Sequence, residues 1–149
     1  HEYGILVRTT MIVGFPGETD AQFETLMNFV KESRFERLGA FTYSPEEGTP
    51  ACTMPDQVDE DVKNQRLDDL MMAQQAISAE INESRVGSVV EALIDGEEDG
   101  AYIARSALEA PESDGVIRIA ADKKLTPGEY VRVRITGADA YDLMGVIEE

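Results

Sequence analysis

Hydrophobic positions recur with two different periods along this chain, and the change of period divides it into two parts. In the first part, residues 5–13 and 37–44 are short runs rich in β-branched and aromatic side chains, which predict strands. Between these runs, four apolar residues share one helical face: Phe23, Leu26, Met27 and Val30. Two strands joined by a helix predict a parallel β-α-β crossover.

The turn between the first strand and the first helix contains Gly14, Pro16 and Gly17. Glycines in front of a helix are also typical of phosphate-binding loops, but here the Walker Lys-Ser/Thr pair and the G-x-G-x-x-G spacing are both absent. Thr19 stands three residues before Gln22, which predicts a capping box at the start of the helix. The pattern therefore favours a capped strand-to-helix turn over a phosphate loop.

A second, longer helix is predicted from about residue 59 to Arg85. Three consecutive acids at its start suit the positive end of a helix dipole. Five positions then recur at alternating spacings of three and four residues: Leu67, Leu70, Gln74, Ile77 and Ile81. We expect this amphipathic helix to pack on a sheet.

From Gly87 onward the period falls to two. Five short segments separated by Gly, Asp and Pro predict five strands and a small OB-like barrel. One of the five places three apolar residues on a common face: Val131, Val133 and Ile135. The fold class is therefore α/β followed by all-β, with domains at residues 1–86 and 87–149.

Composition narrows the classes of function. The chain has 149 residues, a hydrophobic content of 42% and no apolar run long enough for a membrane span. A single cysteine, Cys52, and a single histidine exclude an internal disulfide, a structural zinc site and an iron–sulfur cluster, and fit a cytoplasmic protein. The net charge of −17 disfavours nucleic acid as a partner and favours a basic one.

Several stretches together resemble one family. "RTTMIVGFPGET", "FTYSPEEGTPA" and "DQVDEDVKNQRLDDLMMAQQAIS" are similar to the C-terminal half of radical-SAM methylthiotransferases, and "VGSVVEALIDG" onward is similar to the TRAM domain that follows it. The resemblance covers essentially the whole chain in the family's order. It implies the last β-α-β portion of a partial TIM-type barrel, a bridging helix and a TRAM barrel. It also implies that the full enzyme uses S-adenosylmethionine and two 4Fe-4S clusters.

Two details resemble the RimO type, which adds a methylthio group to the β-carbon of an aspartate in ribosomal protein S twelve. Glu46 and Glu47 stand where the tRNA-modifying MiaB type tends to have Arg-Pro. The stretch "LEAPESDG" (108–115) is similar to the RimO signature "DAPEIDG" and departs from it at Leu108-Glu109 and at Ser113. Two alternatives stay open: a MiaB-type tRNA methylthiotransferase and a free-standing TRAM-type binding module. The cluster-binding C-x-x-x-C-x-x-C motif is absent, so we expect a fragment that is inactive alone and holds no catalytic or metal-ligating residue.

The resemblance implies a cofactor-binding role for five residues: Arg8, Thr10, Ile12, Gly14 and Tyr43. Strand alternation puts the first three on one face, which would be the lumen of the enzyme's barrel. There the isoleucine would pack on adenine, the arginine would pair with a carboxylate, and the glycine would admit the cofactor closely.

The predicted partner is the ribosomal protein S twelve, a basic protein. Residues 87–149 contain 14 acids and 6 bases, a net charge of −8, whereas a barrel that binds tRNA should have a basic face. Glu109, Glu112 and Asp114 lie together on the loop of the signature, and we expect them to contact the partner.

Overall fold

The computed structural model of the chain describes residues 6–121 and 124–148. The chain packs into two compact units, His1–Ile77 and Ser78–Glu149. Their boundary lies inside the second helix, so the last residues of that helix belong to the second unit. The sequence-based boundary at residues 86 and 87 instead marks the start of the barrel strands.

The first unit contains the predicted β-α-β crossover. Strand β1 (Arg8–Val13) is followed by helix α1 (Asp20–Ser33) and strand β2 (Arg37–Thr42), and the two strands pair in parallel. A short 3-10 turn (Pro50–Thr53) precedes helix α2 (Glu60–Ser84). The α/β expectation for this part is confirmed.

Local signals explain where α1 begins and ends. The Thr19 hydroxyl accepts a hydrogen bond from the Gln22 amide, and the Gln22 side chain accepts one from the Thr19 amide, so the predicted capping box is present. The helix ends at Ser33, and the next residue, Arg34, caps it with a left-handed backbone of φ 50°. Val30 is the fully buried residue on its apolar face.

Helix α2 buries a different set of residues from the one that its apolar spacing predicts. Leu70, Gln74 and Ile77 are buried as expected, but Leu67 is only half-buried. The buried stripe continues instead toward the start of the helix with two charged residues, Lys63 and Arg66.

The second unit is a closed five-stranded barrel, which confirms the OB-like expectation. Its strands are β3 (Val89–Glu98), β4 (Ala101–Arg105), β5 (Ile117–Ala120), β6 (Tyr130–Ala138) and β7 (Leu143–Ile147). Around the barrel they run in the order β3-β4-β5-β7-β6, with β5 and β7 parallel and the other pairs antiparallel.

The barrel core is formed by the inward-facing residues of these strands. Ten of the described residues are buried in it, of which Leu125 comes from the segment between β5 and β6: Ala92, Ile94, Ala104, Ile117, Ile119, Leu125, Val131, Val133, Ile135 and Leu143. In β6 the buried residues are the three that strand alternation assigns to one face, and the residues between them are exposed. Side chains that lie between the core positions are therefore available at the barrel surface.

Candidate functional surfaces

One face of the β1–β2 sheet carries three of the predicted cofactor residues. Arg8, Thr10 and Ile12 are all exposed and alternate with half-buried or buried neighbours, as strand alternation predicts. The parallel register sets Ile12 beside Phe41, and their exposed fractions are 56% and 65%. Two adjacent apolar side chains thus lie open on this face, while Val13 is completely buried on the opposite one.

Gly14 follows this strand in a left-handed conformation with φ of 74°. Its amide donates a hydrogen bond of 2.9 Å to Oε1 of Glu18. A Cβ atom at this position would lie 2.3 Å from Cγ of Lys63, far inside van der Waals contact. Position 14 therefore requires a glycine because the aliphatic part of the Lys63 side chain packs closely against it.

The Glu18 carboxylate joins the turn to helix α2. Its Oε1 atom lies 2.7 Å from Nη1 of Arg66, and the exposed fractions of the two side chains are 13% and 7%. The other terminal nitrogen of Arg66, Nη2, lies 2.7 Å from Oδ1 of Asp20. The guanidinium carbon Cζ lies over the Phe23 ring, 5.6 Å from the ring centroid. Glu18, at the end of the "GFPGE" turn, therefore ties the turn to helix α2.

Tyr43 lies against the same turn. Its ring meets the Phe15 ring edge-on at 5.2 Å, and Nζ of Lys63 lies 5.5 Å from its centroid. That ammonium group also pairs with Oε1 of Glu60 at 2.6 Å. The Tyr43 hydroxyl is buried and has no hydrogen-bond partner among the described residues. Most buried hydroxyl groups in folded proteins bond to another protein group or to an ordered water.

On the barrel, the three predicted contact acids have different surroundings. Glu109 is buried, and its carboxylate accepts hydrogen bonds from Nη1 of Arg85 at 2.6 Å and from the amide and hydroxyl of Ser106 at 2.9 and 2.6 Å. Its side chain is only 3% exposed. The expectation that this acid contacts a partner needs correction, because the side chain is enclosed by donors from its own domain.

The other two acids lie nearer the surface of the same loop. Oδ2 of Asp114 accepts a hydrogen bond of 2.7 Å from the Ala110 amide, which closes the loop on itself. Glu112 is exposed and has a left-handed backbone with φ of 61°. A Cβ at the adjacent Gly115 would meet the Tyr141 carbonyl oxygen at 1.8 Å, so the loop packs tightly where the signature has its glycine.

Burial and hydrogen bonding act in opposite directions on the pKa of Glu109. Burial alone would raise the pKa of this carboxyl, but hydrogen bonds from Arg85 and Ser106 and the arginine charge outweigh it, and the pKa lies below its ordinary value. The pKa of Asp139 is also lowered, by hydrogen bonds from the amides of Tyr141 and Asp142. Both groups are thus carboxylates at neutral pH.

Arginines at the barrel surface are largely neutralised by neighbouring acids. Three arginines show this: Arg105 with Asp95, Arg118 with Glu98 and Asp142, and Arg134 with Glu148. Because the domain has more acids than bases, its remaining surface charge is predominantly negative.

Comparison with known proteins gives a consistent result for both units. Residues 86–147 match the model of the TRAM domain. The chain is 51% identical over 142 residues to the ribosomal protein uS12 methylthiotransferase RimO of Caldanaerobacter subterraneus, and 52% identical over 141 residues to that of Thermoanaerobacter. The chain is thus similar to these RimO proteins along nearly its whole length, and its last part matches a TRAM domain.

The RimO relatives are longer than this chain. The match to the Caldanaerobacter protein covers 95% of the chain and 33% of the relative, and a RimO of Clostridioides difficile, 49% identical, is matched over 94% and 32%. The chain therefore spans about one third of the length of the curated relatives it matches. The resemblance to RimO-type enzymes is confirmed by these matches.

Two further observations concern the described residues alone. Neither helix there has the length and apolar character that a membrane span requires. No three His, Cys, Asp or Glu side chains come together in that part of the structure in a way that could hold a metal ion.

Proposed function

We propose that this chain is part of a methylthiotransferase that adds a methylthio group to the β-carbon of an aspartate in ribosomal protein uS12 by radical S-adenosylmethionine chemistry. The observation that carries the proposal is the identity of 49–52% to RimO relatives over about 95% of the chain. In the proposal, the first unit lines one side of the cofactor pocket and the TRAM domain recruits the substrate.

The chain's residues do not fit the two iron–sulfur clusters of the family. A 4Fe-4S cluster needs several cysteine thiolates, and this sequence has only Cys52. The cluster ligands would therefore belong to the part of the enzyme that corresponds to the other two thirds of its relatives. This chain's contribution is to bind and to orient.

The chain's residues do fit a nucleoside cofactor against the open face of β1 and β2. Ile12 and Phe41 together offer an exposed apolar surface of the kind that adenine covers. Arg8 begins the same strand and places a positive charge on that face. Beside this sheet, the buried Tyr43 hydroxyl supplies a donor that a bound group or neighbouring segment would satisfy.

Substrate recruitment is assigned to the acidic TRAM domain. Its charge complements a Lys/Arg-rich ribosomal protein, and complementary charge acts mainly on the rate of encounter and on orientation. Glu112 is the exposed acid of the signature loop and Asp114 is half-buried beside it. We therefore propose Glu112 as the principal contact of this loop, with Asp114 holding the loop's shape.

A chimeric enzyme tests the proposal directly. The segment of the Caldanaerobacter RimO that aligns with this chain is replaced by the chain, and the chimera is purified without oxygen and supplied with iron, sulfide and S-adenosylmethionine. We expect it to methylthiolate purified uS12, measured as the corresponding mass increase on an aspartate-containing peptide. The parental enzyme is the control.

Two results would contradict the proposal. One is a folded chimera that cleaves S-adenosylmethionine to 5′-deoxyadenosine yet leaves uS12 unmodified. The other is a chimera that modifies tRNA in place of uS12, which would favour the MiaB-type alternative.

A further inference from the structure

The turn at the carboxyl end of β1 is held by hydrogen bonds at three points. The Glu18 amide donates to the Phe15 carbonyl oxygen at 2.9 Å. The Gly17 amide donates to the Asp56 carbonyl oxygen at 2.8 Å. Oε1 of Glu18 accepts from the Gly14 amide at 2.9 Å. Ligands of parallel sheets bind beyond the carboxyl ends of the strands, so the shape of this turn affects a ligand on the open face of β1 and β2.

Arg66 of helix α2 orients the acid that holds this turn. Its Nη1 atom donates to Oε1 of Glu18 at 2.7 Å and to the Glu18 backbone carbonyl oxygen at 3.2 Å. The same Oε1 atom accepts from the Gly14 amide, so one carboxylate oxygen joins helix α2 to the first residue of the turn. Both side chains of the ion pair are largely buried, and water competes little for these bonds.

Arg66 occupies a helix position where an apolar residue would ordinarily pack. It lies on the buried stripe of α2 between Lys63 and Leu70. A buried ion pair often stabilises a fold no more than well-packed apolar residues of similar volume, because both charges lose their hydration. A guanidinium differs from an apolar side chain in that it fixes the orientation of a carboxylate. What the pair supplies at this turn is therefore geometry.

The second ion pair of the same arginine does not reach the turn. Nη2 of Arg66 lies 2.7 Å from Oδ1 of Asp20, whose side chain is completely exposed. An ion pair with an exposed partner contributes little, because water screens it. Asp20 therefore provides a matched control for the pair of Arg66 with Glu18.

We propose that Arg66 is a positioning residue of the cofactor site. Through Glu18 it holds the turn that begins at Gly14 in the shape to which S-adenosylmethionine binds. The inference rests on the proposed function, because that function places the cofactor against the open face of β1 and β2. A turn that is ordered in advance lowers the cost of binding, so loss of Arg66 acts on cofactor affinity and leaves the chemical step unchanged.

Cofactor binding by the chimeric enzyme described above tests the proposal. We expect Arg66→Met to weaken S-adenosylmethionine binding about tenfold in equilibrium dialysis. At saturating cofactor, the rate of 5′-deoxyadenosine formation should stay within about twofold of the parent rate, because only binding is affected. Asp20→Asn should leave both quantities unchanged. Unchanged affinity of a folded Arg66→Met variant would overturn the proposal.

A double-mutant cycle separates positioning from a purely structural role. Glu18→Ala removes the carboxylate that connects the arginine to the turn and should weaken cofactor binding to a similar extent. The double variant Arg66→Met/Glu18→Ala contains neither charge of the buried pair, so urea unfolding should show it to be more stable than the single variants. Its cofactor affinity should nevertheless stay as low as theirs, because the turn is still not held. Affinity that recovers together with stability would overturn the proposal, and so would additive losses, which would show that Arg66 does not act through Glu18.

Hydrogen exchange of the 149-residue chain tests the turn without cofactor. We expect the Gly14 amide to exchange about tenfold faster in Arg66→Met than in the wild type, and at the wild-type rate in Asp20→Asn. Unchanged exchange in Arg66→Met would overturn the link between helix α2 and the turn. If the parent chimera binds S-adenosylmethionine but Arg66→Met binds it equally well, only this inference fails. If the parent chimera does not bind the cofactor, the proposed function fails, and the exchange rates still decide whether Arg66 holds the turn.

Discussion

The buried pair of Arg85 and Glu109 gives the sharpest prediction about stability. Glu109→Gln keeps the size of the side chain and removes its charge. The amide oxygen can still accept from Ser106, but the amide nitrogen then faces the Arg85 guanidinium, donor against donor. The arginine side chain is 14% exposed, so little water replaces its lost partner.

The magnitude follows from the loss of one member of a buried ion pair. Removing one partner of such a pair costs about 3–5 kcal/mol, and the retained bonds to Ser106 place the expected loss in the free energy of unfolding at about 3 kcal/mol. Urea unfolding of the 149-residue chain measures it, with the barrel followed through hydrogen exchange of β3 and β6 amides. Glu112→Gln, on the exposed part of the same loop, is the control and should change stability by less than about 0.5 kcal/mol.

The pH dependence supplies a second test of the same pair. The pKa of Glu109 is lower in the folded state than the ordinary value of 4.5, so its stabilisation is present above pH 4.5 and is lost as the pH falls through the folded pKa. The difference in unfolding free energy between wild type and Glu109→Gln should therefore be constant near neutral pH and shrink on acidification. A loss below about 1 kcal/mol, or a difference independent of pH, would refute the reasoning.

Two predictions concern the first unit. We expect Gly14→Ala to lower the unfolding free energy by about 3 kcal/mol, because the new Cβ would overlap the Lys63 side chain at a residue whose backbone is left-handed. The control is Gly17→Ala, where φ is 85° but the space around the Cβ is open, and it should lower the unfolding free energy by only about 1 kcal/mol. Equal losses for the two variants in urea titrations would show that the overlap with Lys63 is relieved at no cost. In the chimeric enzyme, we expect Ile12→Asp to weaken S-adenosylmethionine binding at least tenfold, because it puts a carboxylate against the adenine. Val62→Asp, an exposed apolar position on α2, is its control in equilibrium dialysis, and unchanged affinity of the Ile12 variant would place the cofactor elsewhere.

The barrel could be predicted from sequence because its signals are local. Alternation in residues 130–136 assigns Val131, Val133 and Ile135 to the core, and each is buried in the structure. The strand order could not be predicted in the same way. Strand β7 lies between β5 and β6 and pairs in parallel with β5, an arrangement that depends on closure of the whole barrel rather than on any short segment.

The buried face of α2 was predicted less well, since a pattern of apolar residues treats every charged residue as exposed. Arg66 is buried because its acidic partners come from a distant part of the chain, whereas the Lys63 ammonium group pairs with Glu60 in the same helix and only its stem packs against a distant segment. Arg66 meets Glu18, 48 residues away, and the lysine stem fills the space beside Gly14. The spacing of 63, 66 and 70 was visible in the sequence, but only a known partner for each charge would have justified adding the first two to the core.

The signature loop shows why residue type alone did not identify a contact surface. Its three acids have three different environments: Glu109 is enclosed by donors, Asp114 accepts from the backbone of its own loop, and Glu112 is exposed. Arg85 lies 24 residues before Glu109 in sequence, so the pattern of neighbouring residues could not predict the ion pair between them. Two of the three acids therefore shape the loop. The side chains that this loop leaves exposed include Leu108 and Glu112.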